Sequence, residues 1–202
     1  APEAAAPASE ATPAMGTEPT AEDSGKDGDP QETALQLVEK TRDLASDAVE
    51  YMLSCVDPTV AVIGAKLWYP DGTLQHGGGY REPGSSGFGH LDHRAKVGSI
   101  TAPTELEFVT LAAALIRRKA FFDVRGYDER FDCYCEDADF CLSVRQKGWK
   151  VIYQPKATGI HIESVSTSTA EKLAFIEASS KLLTEKWKWY FVKNKHNSFG
   201  TF

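Results

Sequence analysis

The sequence predicts an α/β domain, a mixed sheet with flanking helices, because two different hydrophobic periodicities alternate along it. Residues 60–69 form an almost continuous apolar, β-branched run, which is typical of a strand covered on both faces. Residues 31–53 and 167–191 instead carry apolar side chains at helical spacing, with charged residues between them. Strands that alternate with helices indicate the α/β class.

Residues 1–30 differ from the rest in composition. They hold eight alanines, five of the ten prolines and no large apolar residue except Met15. Such a segment buries too little surface to offset its ordering entropy, so we expect a disordered tail over 1–30 and a domain over 31–202. Seven acids and one lysine give the tail most of the chain's net charge of −7. The domain is therefore nearly neutral, which argues against a nucleic-acid partner.

The sequence shows no secretory signal and no run of about 18 apolar residues that could span a bilayer. We therefore expect a cytoplasmic protein, either free or peripheral at the membrane. Three of the four cysteines, Cys133, Cys135 and Cys141, lie close together, which leaves a metal cluster as an alternative. Free thiols are the favoured interpretation because no Cys-x-x-Cys pair occurs.

The remaining elements follow from turn and breaker residues. Pro58 ends the first helix, and residues 70–72 (Pro-Asp-Gly) predict a tight turn after the first strand. Residues 75–104 are rich in glycine and predict an irregular loop, in which His90 and His93 are expected to be ordinary loop residues. Further along we expect a strand that runs into a short helix over residues 108–124 and an acidic helix over residues 136–147. Two extended pieces should follow over residues 150–153 and 157–162, and a last helix over residues 167–191.

Three acids, Glu136, Asp137 and Asp139, fall at the start of the acidic helix, which Gly148 ends. Carboxylates at a helix N-terminus meet free backbone N–H groups and the positive end of the helix dipole, so they can stay ionised in a cleft at little cost. The pattern predicts an anionic base or a cation ligand. The alternative is a solvated helix end without a functional role.

Four segments resemble the C-terminal, acceptor-side half of a family 2 glycosyltransferase. They are residues 64–79 (GAKLWYPDGTLQHGGG), 115–131 (LIRRKAFFDVRGYDERF), 136–139 (EDAD) and 153–164 (YQPKATGIHIES). Members of this family are inverting, nucleotide-sugar-dependent enzymes of the GT-A fold. The resemblance covers about residues 56–166, in the family's order and spacing, and it implies a partial GT-A domain.

The resemblance implies a role for each candidate site residue. Asp137 would be the base that takes the proton from the acceptor hydroxyl, and Glu136 would orient the acceptor. His161 would help to hold a Mg²⁺ or Mn²⁺ ion beside the donor diphosphate. The acceptor side would be lined by His76, Gly77, Gly78, Arg117 and Arg118.

The residues that match the family do not include its donor-binding half or its Asp-x-Asp motif. Asp27-Gly-Asp29 has the spacing, but it lies in the tail with no strand before it. We therefore expect an acceptor half that is inactive in isolation and that depends on a nucleotide-sugar donor and a glycan acceptor when complete. The alternative is a non-catalytic glycan- or protein-binding module. A metal-dependent hydrolase is a weaker third hypothesis because no clustered His/Asp pattern accompanies His161. The missing half would expose a sheet edge, which predicts a homo-oligomer or a partner chain.

Overall fold

The computed structural model describes residues 47–81, 83–162 and 169–196. In chain order the elements are α1 (47–53), β1 (Val60–Trp68), β2 (Leu74–His76), β3 (Gly79–Arg81), β4 (Phe88–His90), β5 (Thr104–Glu105), β6 (Ala114–Ile116), α2 (Arg118–Asp123), α3 (Glu136–Gln146), β7 (Lys150–Ile160), α4 (Thr169–Lys186) and α5 (Lys188–Lys193).

The main sheet is mixed and is built around β1. Strand β1 pairs in parallel with β7, and its other edge pairs antiparallel with β6 near its start and with β2 near its end. Strand β5 adds antiparallel to β7, and β3 and β4 form a separate two-stranded ribbon. The predicted mixed sheet with flanking helices is confirmed.

Side chains of β1 alternate between two apolar cores. On one face Ile63 and Leu67 pack with Ala48 and Met52 of α1. On the opposite face Val62 belongs to the larger core, whose other members come mainly from α3, β7, α4 and α5. Burying such a side chain contributes about 1.5–3 kcal/mol, so both faces of the β1–β7 pair must stay covered.

A glycine in β1 lets another chain segment approach closely. A Cβ built on Gly64 would lie 2.6 Å from the Cβ of Val109. No side chain larger than hydrogen fits at that distance, so Gly64 allows residues 108–110 to cross directly over the sheet. This crossing brings Thr110 toward the start of α3.

Several sequence predictions are confirmed. Residues 60–68 form a strand, and Tyr69 N–H bonds to the Thr73 oxygen at 2.8 Å across the predicted turn. The acidic helix is α3, and Gly148 follows it with a φ of +84°.

Other element predictions were wrong or only partly right. Residues 75–104 are not irregular throughout, because they include β3, β4 and part of β2, strands of three residues that are too short to show a period of two. The strand expected in residues 108–122 is limited to Ala114–Ile116. Pro155 does not end its strand, since β7 continues to Ile160 and the pairing with β1 skips residues 155–157.

The last helix is divided at Trp187, the N-cap residue of α5. Residues 31–46 of the first predicted helix, the tail over 1–30 and the Asp27-Gly-Asp29 motif lie outside the described residues. Within the described part of the chain, no helix is both long enough and apolar enough to cross a membrane.

Candidate functional site

The start of α3 lies beside the parallel strands β1 and β7. A turn over residues 147–149 joins α3 to β7, so the helix runs back along the strand, and its 11 residues rise about 16 Å, roughly half the length of β7. Tyr134 and Cys135, directly before α3, have φ values of +66° and +64°, and such conformations cluster at functional sites in proteins.

The Asp137 carboxyl is held at the start of α3 by a backbone donor. The Ala138 N–H donates to its Oδ1 at 2.7 Å, and the Thr110 side chain lies nearby. Although Asp137 retains some solvent exposure, burial raises its pKa to about 7, and the neighbouring charge of Glu136 adds to the rise. The group can therefore exchange a proton near neutral pH.

Glu136 and Asp139 flank Asp137 but have different environments. Glu136 is half-buried, and its Oε2, an atom with almost no accessible surface, has no hydrogen-bond partner among the described residues. Asp139 is only 2% exposed and accepts from Trp187 Nε1 at 2.7 Å and from Lys186 Nζ at 2.9 Å. Asp139 therefore joins α3 to α4 and α5 and leaves Glu136 and Asp137 as the acids of the site.

His76 lies behind the site, and the structure leaves it no surface for acceptor contact. Its side chain is 0% exposed, its Nε2 accepts from the Thr110 N–H at 3.4 Å, and its Nδ1 lies 2.6 Å from Nδ1 of His90. Burial, and then the neighbouring His90, hold the pKa of His76 well below its usual range. Gly77 and Gly78 are buried as well. The structure therefore places these three residues next to the site but not on its exposed face.

His161 lies at the end of β7 with one ring nitrogen engaged. Its Nδ1 is 2.8 Å from Gln75 Oε1, so Nδ1 carries the proton and Nε2 keeps a lone pair that could bind a cation. Among residues 47–81, 83–162 and 169–196, no group of three or more His, Cys, Asp or Glu side chains could hold a metal ion. All four cysteines are free thiols. His161 thus fits as one ligand, and further ligands would have to come from elsewhere.

Arg117 and Arg118 lie at the opposite end of β1. Arg117 donates from Nε to the Val60 oxygen at 2.8 Å and from Nη2 to the Asp57 oxygen at 2.7 Å. Val60 is the first residue of β1, whereas His76 pairs with Leu67 seven residues later, a separation of roughly 23 Å along the strand. Both arginines line an apolar depression of about 420 Å³ beside β6. The structure does not bring them together with Asp137.

Comparison with known proteins relates the chain to glycan-assembling enzymes, although no family model matches it. It is 36% identical over 117 residues, 54% of the chain, to the O-antigen biosynthesis protein RfbC of Myxococcus xanthus. It is 32% identical over 85 residues, 42% of the chain, to an N-acetylglucosaminyl-diphospho-decaprenol L-rhamnosyltransferase of Mycobacterium tuberculosis. The chain is related to the family 2 glycosyltransferases.

A third relative, an uncharacterised protein y4gI of Sinorhizobium fredii, is 32% identical over 155 residues, 72% of the chain. The chain spans only 17% of the length of y4gI, 9% of the M. xanthus protein and 26% of the M. tuberculosis enzyme. The relationship therefore concerns one part of proteins that are several times longer.

Proposed function

We propose that this chain is the acceptor-activating half of an inverting sugar transferase with a GT-A-type domain, and that Asp137 is its general base. The observation that carries the proposal is the Asp137 carboxyl itself, which lies at the start of α3 and whose burial raises its pKa to about 7. A general base works best when its pKa is close to the operating pH. The relationship to family 2 glycosyltransferases supplies the reaction class.

In this mechanism an acceptor hydroxyl oxygen attacks the anomeric carbon of the donor sugar. The new carbon–oxygen bond forms as the bond to the nucleoside diphosphate breaks on the opposite face, which inverts the configuration. The hydroxyl proton passes to the Asp137 carboxylate, whose Oδ1 accepts a hydrogen bond from the Ala138 N–H. Glu136, the neighbouring half-buried acid, orients the acceptor through a second hydroxyl.

The donor is a nucleotide-activated sugar, and rhamnose is the first candidate because the M. tuberculosis relative is named as a rhamnosyltransferase. The donor-binding half, with an Asp-x-Asp motif, would come from a segment outside the described residues or from another chain. A Mg²⁺ or Mn²⁺ ion would neutralise the leaving diphosphate, with His161 as one ligand.

The acceptor is a glycan carried on a lipid, which would place the protein at a membrane surface. The name of the M. tuberculosis relative includes a decaprenol-linked acceptor. Near the end of the described chain, Trp189 and Val192 are 46% and 65% exposed, and Lys188, Lys193 and Lys195 are exposed around them. Exposed tryptophan with surrounding lysines favours an anionic membrane interface. Co-sedimentation with vesicles containing anionic lipid, lost when the three lysines become glutamates, tests this assignment.

The edge of β6 is the surface where a donor half or a partner chain would add. Among the described residues β6 pairs only with β1, and the apolar depression that includes Leu115 and Ile116 lies beside it. An unpaired edge next to apolar surface favours strand addition. Light scattering on the purified chain should show a dimer or larger species, and a monodisperse monomer at high concentration would remove this part of the proposal.

The decisive experiment uses this chain together with a donor half, in one polypeptide or in trans. Asp137→Asn should lower sugar transfer by about 10²–10⁴-fold, the usual contribution of a general base. Asp132→Asn, an exposed acid five residues earlier, should have no effect. Calorimetry then measures the binding of UDP, GDP and dTDP sugars, with and without Mn²⁺, and separates a transferase from a non-catalytic binding module. Glycan binding with neither transfer nor donor binding in any assembly would favour the non-catalytic binding module.

A further inference from the structure

Lys66 is a partly buried lysine without a counter-ion among the described residues. Side chains alternate along β1, so Lys66 shares the face of Val62, whose core includes side chains of α3. Within the described ranges its ammonium group forms no salt bridge and no hydrogen bond, and it lies 5.9 Å from the centroid of the Trp68 ring. Burial lowers the pKa of Lys66, and the charge of Asp92 offsets only part of that effect. A cation held in this way is stabilised when an anion binds to it.

The acid that acts on Lys66 is engaged by another residue. Asp92 Oδ2 accepts from the Ser99 N–H at 2.6 Å and from the Ser99 hydroxyl at 2.8 Å. A Cβ built on Gly98 would lie 3.7 Å from Lys66 Cε and 3.8 Å from Asp92 Oδ2, so a glycine at this position leaves the lysine stem uncovered. The space beside Lys66 is therefore bordered by a carboxylate oxygen that already has two donors.

The loop that contains Asp92 adds positive charge beside this lysine. Arg94 and Lys96 are both exposed, and Arg94 pairs with Asp71 at 3.0 Å. Backbone hydrogen bonds hold the loop along β2, which is a neighbour of β1 in the sheet. Together with Lys66 the loop gives this end of β1 three cations and two acids, which favours an anionic ligand.

Lys66 lies at the same level of the sheet as the proposed base. Helix α3 rises about 16 Å back along β7, which brings its first turn, with Asp137, opposite roughly the middle of that strand. At that point the pairing of β1 with β7 passes from Ala65↔Gln154 to Lys66↔Thr158. Because α3 covers the face that Lys66 shares, Lys66 and Asp137 lie on the same side of β1.

We propose that Lys66 binds a diphosphate group on the Asp137 side of β1. The inference deepens the proposed function and rests on it for the identity of the anion, since a nucleotide-sugar donor and a lipid-diphosphate acceptor both carry this group. A lysine ammonium offers three N–H donors and a compact charge, which suits phosphate oxygens. The chain would thereby supply positive charge to the diphosphate through one of its own residues.

The first test follows Lys66 by NMR in the purified chain, with inorganic pyrophosphate as the probe. The ¹³Cε signal, assigned by its loss in Lys66→Arg, should report a pKa below that of an ordinary lysine, and bound pyrophosphate should raise it because an anion favours the charged form. Lys66→Met should weaken pyrophosphate binding about tenfold or more in calorimetry, whereas Lys66→Arg, which keeps the charge, should bind within about threefold of the natural chain. Lys147→Met, at the exposed far end of α3, is the matched control and should bind normally.

UDP and geranyl diphosphate then distinguish the two sources of the group. Tighter binding of UDP than of pyrophosphate would assign the site to the donor, and tighter binding of geranyl diphosphate would assign it to the lipid carrier of the acceptor. Binding of these ligands that is unchanged in Lys66→Met, or a Lys66 pKa that none of them raises, would overturn the inference. The pKa is measured on the natural chain, so it decides the question even where a variant does not fold. If the diphosphate binds through Lys66 while Asp137→Asn keeps full transfer, the proposed base falls and the site at Lys66 stands.

Discussion

Replacing the proposed base should stabilise the protein, and the size of the effect should depend on pH. The pKa of Asp137 is about 7 in the folded chain against an ordinary value of 3.8. Between these values the folded chain keeps a proton that the unfolded chain has lost. The free energy of unfolding therefore falls as pH rises from about 4 to 7 and stays low above 7. A difference of 3.2 between the two pKa values lowers the free energy of unfolding by at most about 4 kcal/mol.

Asp137→Asn removes this penalty because asparagine is neutral and can still accept the bond from Ala138. We expect the variant to be more stable than the natural chain by about 1–2 kcal/mol at pH 5 and by about 4 kcal/mol at pH 8.5. Urea unfolding, followed by tryptophan fluorescence at both pH values, measures the two differences.

Asp139→Asn is the matched control, two residues away on the same helix. Asp139 is buried and paired with Lys186 and Trp187, so its replacement should destabilise the chain by about 3–5 kcal/mol at pH 8.5. An Asp137→Asn variant that is less stable than the natural chain at pH 8.5, or equally shifted at both pH values, would refute the reasoning.

Three further predictions concern other parts of the fold. Arg81 and Glu107 form a completely buried ion pair at 3.2 Å, so Arg81→Met should cost about 3–5 kcal/mol in urea unfolding by leaving a buried charge; a cost below 1 kcal/mol would contradict it. Gly79→Ala should cost more than about 2 kcal/mol, since a Cβ there would lie 2.1 Å from a backbone oxygen, whereas Gly72→Ala, at φ +75° in open space, should cost only about 1 kcal/mol. An inverted order of melting temperatures would show that the close approach at Gly79 is not rigid. His161→Ala should raise the Mn²⁺ concentration needed for half-maximal transfer about tenfold or more, and an unchanged requirement would remove His161 as a ligand.

The parts of the fold that could be predicted are those whose signals are local. The apolar run of β1 and the Pro-Asp-Gly turn each depend on neighbouring residues alone, as does the α3 helix with its glycine stop. Glu136 and Asp137 are predicted as site residues because their helix-start pattern coincides with a resemblance to known enzymes. Their surroundings depend on contacts between distant segments, which no local pattern shows.

Thr110 is the clearest residue that sequence reasoning missed. It sits in an apolar stretch without a motif, and it reaches Asp137 only because Gly64 lets residues 108–110 cross β1. The sequence predicts an acceptor contact in a loop for His76, because a three-residue strand gives too little alternation to reveal that the residue is buried. The resemblance predicts that Arg117 lies on the acceptor side, but β6 runs antiparallel to β1 and carries it to the opposite end of the sheet.

The pH dependence of sugar transfer tests the central claim most directly. With the donor half present, transfer should rise with pH through an apparent pKa near 7 and then level off, as ionisation of Asp137 requires. Asp137→Asn should lose this rise along with at least a hundredfold of the rate, while Asp132→Asn keeps both. A rate that stays within tenfold of the natural value in Asp137→Asn, with the same rising limb, would contradict the assignment of Asp137 as the base.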